Sequence, residues 1–222
     1  MDPKWLEDLI SPLRSKECDL VLGHCRPSVR TLFERSVFFV TIEVLKRDNF
    51  VFLGSASIAF KRTLWEAVGG YPERLYPCED KFFLTKVRNR KAPVFLSEGA
   101  DVFWRPRSNP LSFFLQYFRY GRGDGKVRFY PERYALRLLV YGGILLLWLG
   151  RHPMPAALGV LALVGYWAAL SLGGWKRIKN PLVFLILPFL FLIKDLAQLA
   201  GYPVGAAERF ASRELKALSK QK

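Results

Sequence analysis

From Pro153 to Trp175 the chain carries no charged residue, and this run limits what it can fold into more than any other feature. A helix needs roughly 20 apolar residues to cross a hydrocarbon core, so the run reads as a membrane span. Around it, Leu138 to Ile193 contains few charges, grouped at Arg151 and at Lys176, Arg177 and Lys179, whereas most acidic residues lie before Tyr134. The change of character near Pro131 divides the chain into residues 1–130, of mixed polarity, and residues 131–222, a membrane region with a basic tail.

Within that region the expected helical segments are about 134–150, 153–175 and 181–200. The first holds Arg137 near its entrance, where a long side chain snorkels to the interface. The third is ambiguous: Pro181 to Ile193 is too short to cross alone, and Lys194-Asp195 interrupts its continuation. It reads as re-entrant, interfacial, or a third span with a neutralised polar pair. With residues 1–130 in the cytoplasm, two spans return Lys176 to Lys179 there, whereas a third would export Arg209, Arg213, Lys216, Lys220 and Lys222. The positive-inside tendency therefore favours a third segment that does not cross, and a multi-pass membrane protein whose first part faces the cytoplasm.

A formal charge of +15 suits nucleic acid, an anionic membrane surface or a phosphorylated substrate. The apolar spans favour the latter two, and no nucleic-acid partner is expected. Arg122, Lys126, Arg128, Arg133 and Arg137 precede the first apolar segment, where each gains roughly 1 kcal/mol from anionic head groups. Cys18, Cys25 and Cys78 have neither a disulfide framework's even number nor metal-site spacing, which fits a cytoplasmic environment. The acidic, amphipathic start MDPKWLEDL does not read as a cleavable secretory signal.

In residues 1–130, Trp5, Leu6, Leu9, Ile10 and Leu13 recur at helical spacing, and Asp19 to His24 is a short strand-like run. Leu32 to Val44 suggests a longer helix, and Phe50 to Phe60 a buried strand around Gly54. Trp65 to Val68 ends a helix at Gly69-Gly70, before Tyr71-Pro72. Glu79 and Asp80 open another helix, and helix capping alone accounts for an acidic pair there. Val94 to Leu96 and Ala100 to Trp104 read as strands, and Leu111 to Tyr120 as an aromatic amphipathic helix suited to a membrane surface.

Taken in order, these segments resemble the second half of the GT-A catalytic domain of family 2 glycosyltransferases. PKWLEDLISPL resembles the segment after that family's metal-binding D-x-D, and LGSASIAFKRTLWEAVGGYPE its acceptor-side strand, helix and GG-aromatic loop. CED resembles its acidic catalytic motif, and WRPRSNPLSFFLQYFRYGRG the basic segment before the membrane region. The likeness covers nearly all of residues 1–130 and, more loosely, the hydrophobic tail.

The resemblance implies an α/β fold, an incomplete Rossmann-like GT-A half-domain on the acceptor side, followed by an α-helical membrane region. It implies an inverting transfer of sugar from a nucleotide-sugar donor to a lipid-linked or membrane-proximal saccharide, in cell-envelope or exopolysaccharide synthesis. Asp80 matches the general base, with Glu79 orienting it or serving in its place. Gln116, Arg119 and Tyr120 match a Q-x-x-R-W signature near diphosphate and acceptor, with Tyr120 in place of the Trp. Arg119 then offers forked donors to phosphate and Tyr120 a stacking ring, although membrane anchoring explains the same residues. Arg105, Arg107 and Arg122 have a weaker claim. Gly54, Ser55, Gly69 and Gly70 would bring backbone amides to the acceptor, and turn formation explains the glycines as well. His24 and His152 receive no role.

The family's D-x-D, which holds Mg or Mn, has no counterpart in this sequence, so no metal ligand is assigned. The divalent metal is expected in a complete enzyme, with the nucleotide-binding half supplied by a longer protein or by a separate chain. The alternative is a non-catalytic membrane subunit or anchor that uses the half-domain for docking.

Overall fold

The computed structural model describes residues 4–15, 18–43 and 56–221. They cluster into two compact units, one drawn from residues up to Arg30 together with Thr41–Pro106, the other from Thr31–Val40 and Arg107–Gln221. The aromatic helix after Asn109 thus groups with the apolar helices, upstream of the compositional break near Pro131.

The first unit is α/β. Helix α1 (Trp5–Arg14) precedes strands β1 (Leu20–Leu22) and β2 (Cys25–Pro27). Later come β3 (Ile58–Phe60), α3 (Arg62–Val68), α4 (Glu79–Asn89), β4 (Val94–Leu96) and β5 (Val102–Trp104). Strand β1 is central in a three-stranded sheet, antiparallel to β3 and parallel to β4, while β2 and β5 form a parallel pair. All three β1 residues are buried because both faces are covered. Leu20 and Leu22 pack with Leu64, Val68, Phe83, Leu84 and Val87 of α3 and α4, whereas Val21 points the other way to Leu9, Cys18 and Ala100. The two-residue period of a strand makes that division. A fold of α/β type with a helical region follows the expectation in outline, but the described residues do not form a Rossmann sheet.

The second unit is helical. It comprises α2 (Leu32–Phe38), whose N-cap Thr31 accepts from the Glu34 amide and which continues into a π-helical turn at Phe39–Glu43, of which Phe39 and Val40 belong to this unit. It also holds α5 (Pro110–Val127), α6 (Pro131–Leu149), α7 (Pro153–Ile178), α8 (Val183–Ala211) and α9 (Arg213–Leu218). Two of these, α7 and α8, are long and apolar enough to cross a membrane.

This differs from the expected spans at both ends. Helix α6 is not one of the two, because Glu132, Arg133 and Arg137 occupy its first turns. Its apolar remainder, Leu138 to Leu149, is only about 18 Å long at 1.5 Å per residue, short of a core of roughly 30 Å. Helix α8, by contrast, runs unbroken for 29 residues through Lys194-Asp195. Of this pair, Asp195 is held by helix α6. Arg137 Nε lies 3.0 Å from Asp195 Oδ1, and the Tyr141 hydroxyl donates to Asp195 Oδ2 at 2.8 Å.

Helices α5 and α8 meet backbone to backbone. A Cβ on Gly121 would lie 2.8 Å from Gln198 Cα, and one on Gly201 2.9 Å from the Arg122 nitrogen. Gly121 and Gly125 on α5, with Gly201 and Gly205 on α8, are small residues four apart, a spacing that lets helices approach closely where lipid offers no hydrophobic drive.

Candidate functional site

The acidic pair sits in the first turn of α4, after Cys78 in the left-handed region (φ 92°). Negative charge is favoured there by the unpaired amides and dipole of the helix start. Asp80 Oδ1 accepts from the Lys81 amide at 2.6 Å, so this carboxylate is tethered to its own turn. Glu79 differs: its Oε2 is buried and has no hydrogen-bond partner among the described residues. Buried polar atoms are paired in the great majority of cases, so an orphan carboxylate oxygen calls for a functional or solvent partner.

A wall of four aromatic rings belongs to the same unit. Phe60 stacks on Trp65 at 5.5 Å, and Tyr71 packs edge-on to Trp65 at 4.9 Å and against Phe83 at 4.8 Å. The Tyr71 phenol is pushed above its ordinary ionisation range, first by burial and then by the charges of Asp80 and Glu79. Its hydroxyl is therefore within electrostatic reach of both carboxylates.

Gly69 and Gly70 close α3. Gly69 is its C-cap at φ 79°, and at Gly70 (φ 64°) a Cβ would press into the Trp65 ring at 2.7 Å. Their amides donate to Glu66 O and Trp65 O, so both are already engaged in ending the helix. From α4, Lys86 Nζ donates to Val68 O at 2.9 Å and Arg90 to Ala67 O at 2.8 Å, which satisfies the remaining carbonyls. Gly54 and Ser55 lie outside the described residues.

Gln116, Arg119 and Tyr120 belong to the helical unit. Helix α5 begins at Asn109, whose side chain accepts from the Ser112 amide, with Pro110 at the first helical position. One turn apart, Gln116 Nε2 donates to the Tyr120 hydroxyl at 2.9 Å, while Arg107 Nε donates to Gln116 Oε1 at 3.0 Å. Gln116 is buried, Arg119 is exposed, and Tyr120 keeps 39% of its surface and meets Tyr117 edge-on at 5.6 Å. The structure thus joins Arg107, Gln116 and Tyr120 into one hydrogen-bonded chain. The acidic pair and this chain lie in different units. Arg122 is committed to Glu208, which also pairs with Lys126 at 3.5 Å.

Among the described residues, no group of three or more His, Cys, Asp or Glu is placed to hold a metal ion. Glu79 and Asp80 alone offer two carboxylates, one bound to backbone, which is not a complete ligand set for Mg or Mn.

The polar cluster at Arg137, Tyr141, Lys194 and Asp195 is not visible in linear sequence, since its members lie on two helices far apart in the chain. The two small-xxx-small pairs on α5 and α8 were the available signal that these helices pack together. No family model matches the chain, and no curated protein matches it.

Proposed function

We propose that this chain is the acceptor-side part of a membrane-bound inverting glycosyltransferase of family 2. It moves a sugar from a nucleotide-sugar donor to a lipid-linked or membrane-proximal saccharide, in cell-envelope or exopolysaccharide synthesis. The observation that carries the reading is the orphan Glu79 oxygen beside Asp80, in the unit that also holds the partly exposed Phe60, Trp65 and Tyr71 rings. Carboxylates accept a proton from a hydroxyl, and aromatic faces suit the apolar faces of sugar rings.

In the proposed reaction the acceptor oxygen attacks the anomeric carbon from the face opposite the leaving group. Its proton passes to Asp80, the new C–O bond forms as the bond to diphosphate breaks, and the nucleoside diphosphate departs with its electron pair. Glu79 orients this base or substitutes for it. In the helical unit, Gln116 and Tyr120, held by Arg107, form a polar and aromatic surface, and Arg119 offers donors suited to phosphate. A divalent metal would be held by the nucleotide-binding half, in the same or another chain, and would stabilise the departing diphosphate. In this reading α7 and α8 cross the membrane and the α/β unit faces the cytoplasm, beside membrane lipids.

The test expresses the full coding region that contains this chain and determines the anomeric configuration of its product by NMR. Configuration opposite to the donor is expected; retained configuration, or no transfer from any nucleotide sugar, would contradict the proposal.

Phe95 and Leu96 on the end strand β4, and Phe103 on β5, are exposed, and these apolar strand residues favour a second reading as a docking subunit. Loss of a stably bound partner in a Phe103→Ser variant with unchanged folding would select it.

A further inference from the structure

Beyond the Lys194-Asp195 pair, α8 carries no charge from Leu196 to Ala207, and Glu208 and Arg209 are the first charged residues after that run. From Val183 to Ala207 a helix rises about 36 Å at 1.5 Å per residue, enough for a hydrocarbon core of roughly 30 Å. A chain that crosses along α8 therefore leaves the hydrocarbon close to Glu208. With α7 crossing as well, it returns there to the side of Arg151, ahead of α7.

The segment that follows is basic and held in place. Residues 209–222 contain Arg209, Arg213, Lys216, Lys220 and Lys222 against one acid, Glu214. Extended backbone at Ser212 (φ −112°, ψ 122°) ends α8, and the Ser212 hydroxyl accepts from the Leu215 amide at 3.3 Å to start α9. Leu215 is buried, and α9 packs on α5 and α8. Glu208, the last acid of α8, is already taken by Arg122 and Lys126. Arg213 and Lys216, three residues apart on α9, share a helix face, and both are exposed, as is Lys220 just past the helix end. In the last turn of α8, Phe210 keeps 67% of its surface.

We infer that α9 is a membrane-surface anchor for an anionic leaflet, with Arg213, Lys216 and Lys220 on the lipid phosphates and Phe210 in the boundary beside them. An exposed basic helix is often no more than a solvated face. This one begins five residues after Glu208, roughly 8 Å at helical rise, so its cations fall within about a Debye length of the head groups. Buried Leu215 fixes α9 beforehand, so less ordering is needed for the contact. The inference rests on the proposed crossing by α7 and α8 and is independent of sugar transfer.

The experiment reconstitutes the full chain into nanodiscs of phosphatidylcholine, alone or with a third phosphatidylglycerol, and follows amide exchange of residues 212–221 by mass spectrometry. A basic residue at an anionic surface is worth about 5-fold in binding, so the three together should slow exchange by up to about 100-fold in the anionic discs. High salt should remove the effect, and so should the combined variant R213Q/K216Q/K220Q, which leaves Leu215 in place and exchange in α8 unchanged. Equal exchange in the two kinds of disc, or slowing that survives in the glutamine variant, would overturn the inference. Protection by added polyglutamate but not by phosphatidylglycerol would overturn it in favour of an acidic protein partner. Extraction with alkaline carbonate checks the crossing separately: release of the chain from membranes sinks the crossing and the inference with it, whereas retention with equal exchange sinks the α9 contact alone.

Discussion

An alanine at Gly205 would set its Cβ 2.7 Å from the Arg122 carbonyl carbon and 2.9 Å from the Lys126 nitrogen, and closer still to the Arg122 oxygen. A carbon and a carbonyl oxygen rest about 3.3–3.6 Å apart, so α5 and α8 must separate by about 1.5 Å at the crossing. The obstructing atoms are backbone, so no side chain can turn aside. Overpacking of this kind costs about 1–3 kcal/mol, and alanine returns up to about 1 kcal/mol in helix propensity. The net expectation is a destabilisation of up to about 2 kcal/mol. Gly143 on α6 has open space around its missing Cβ, so there the same substitution should stabilise by up to about 1 kcal/mol. Denaturant unfolding of the chain in detergent, followed by circular dichroism, measures both. Equal shifts for Gly205→Ala and Gly143→Ala would refute close helix packing as the reason for the glycines.

Phe83 on α4 is fully buried against β1 and α3, and Phe83→Ala should cost about 3–5 kcal/mol in the same assay; a loss under 1 kcal/mol would contradict its place in the core. Tyr71 should ionise above the usual tyrosine range in a spectrophotometric titration, and Asp80→Asn should bring its titration back toward that range. Because its folded value is raised, Tyr71 stabilises the fold fully below the unfolded value near 10, and that contribution is lost as pH rises through the folded value. Tyr71→Phe should accordingly blunt alkaline unfolding, and unchanged alkaline stability would count against the burial of the phenol.

Much of this architecture is legible in the sequence where structure follows local pattern. A short apolar run announces Leu20–Leu22, and the uncharged run announces α7. The acidic first turn of α4 is readable because dipole and capping act within a few residues. What escapes is settled by partners distant in the chain. Lys194-Asp195 resembles a helix interruption until Arg137, Tyr141 and Tyr117 are set beside it. Likewise, the apolar face of Val37 and Phe38 shows that α2 is buried but not that it groups with the apolar helices. At the site, the sequence points to Glu79, Asp80 and Gln116. It does not reveal that Glu79 Oε2 lacks a partner, that Arg107 holds Gln116, or that the Gly69 and Gly70 amides are engaged in a helix end.

The most direct test of the proposed transfer compares parent, Asp80→Asn and Glu79→Gln forms of the full coding region in membranes. The measurement is label passed from radiolabelled nucleotide sugars into lipid-extractable saccharide. The account predicts transfer by the parent, a fall of about 100-fold or more in Asp80→Asn with folding and donor binding intact, and a smaller fall in Glu79→Gln. Transfer by Asp80→Asn at the parent's rate would contradict it.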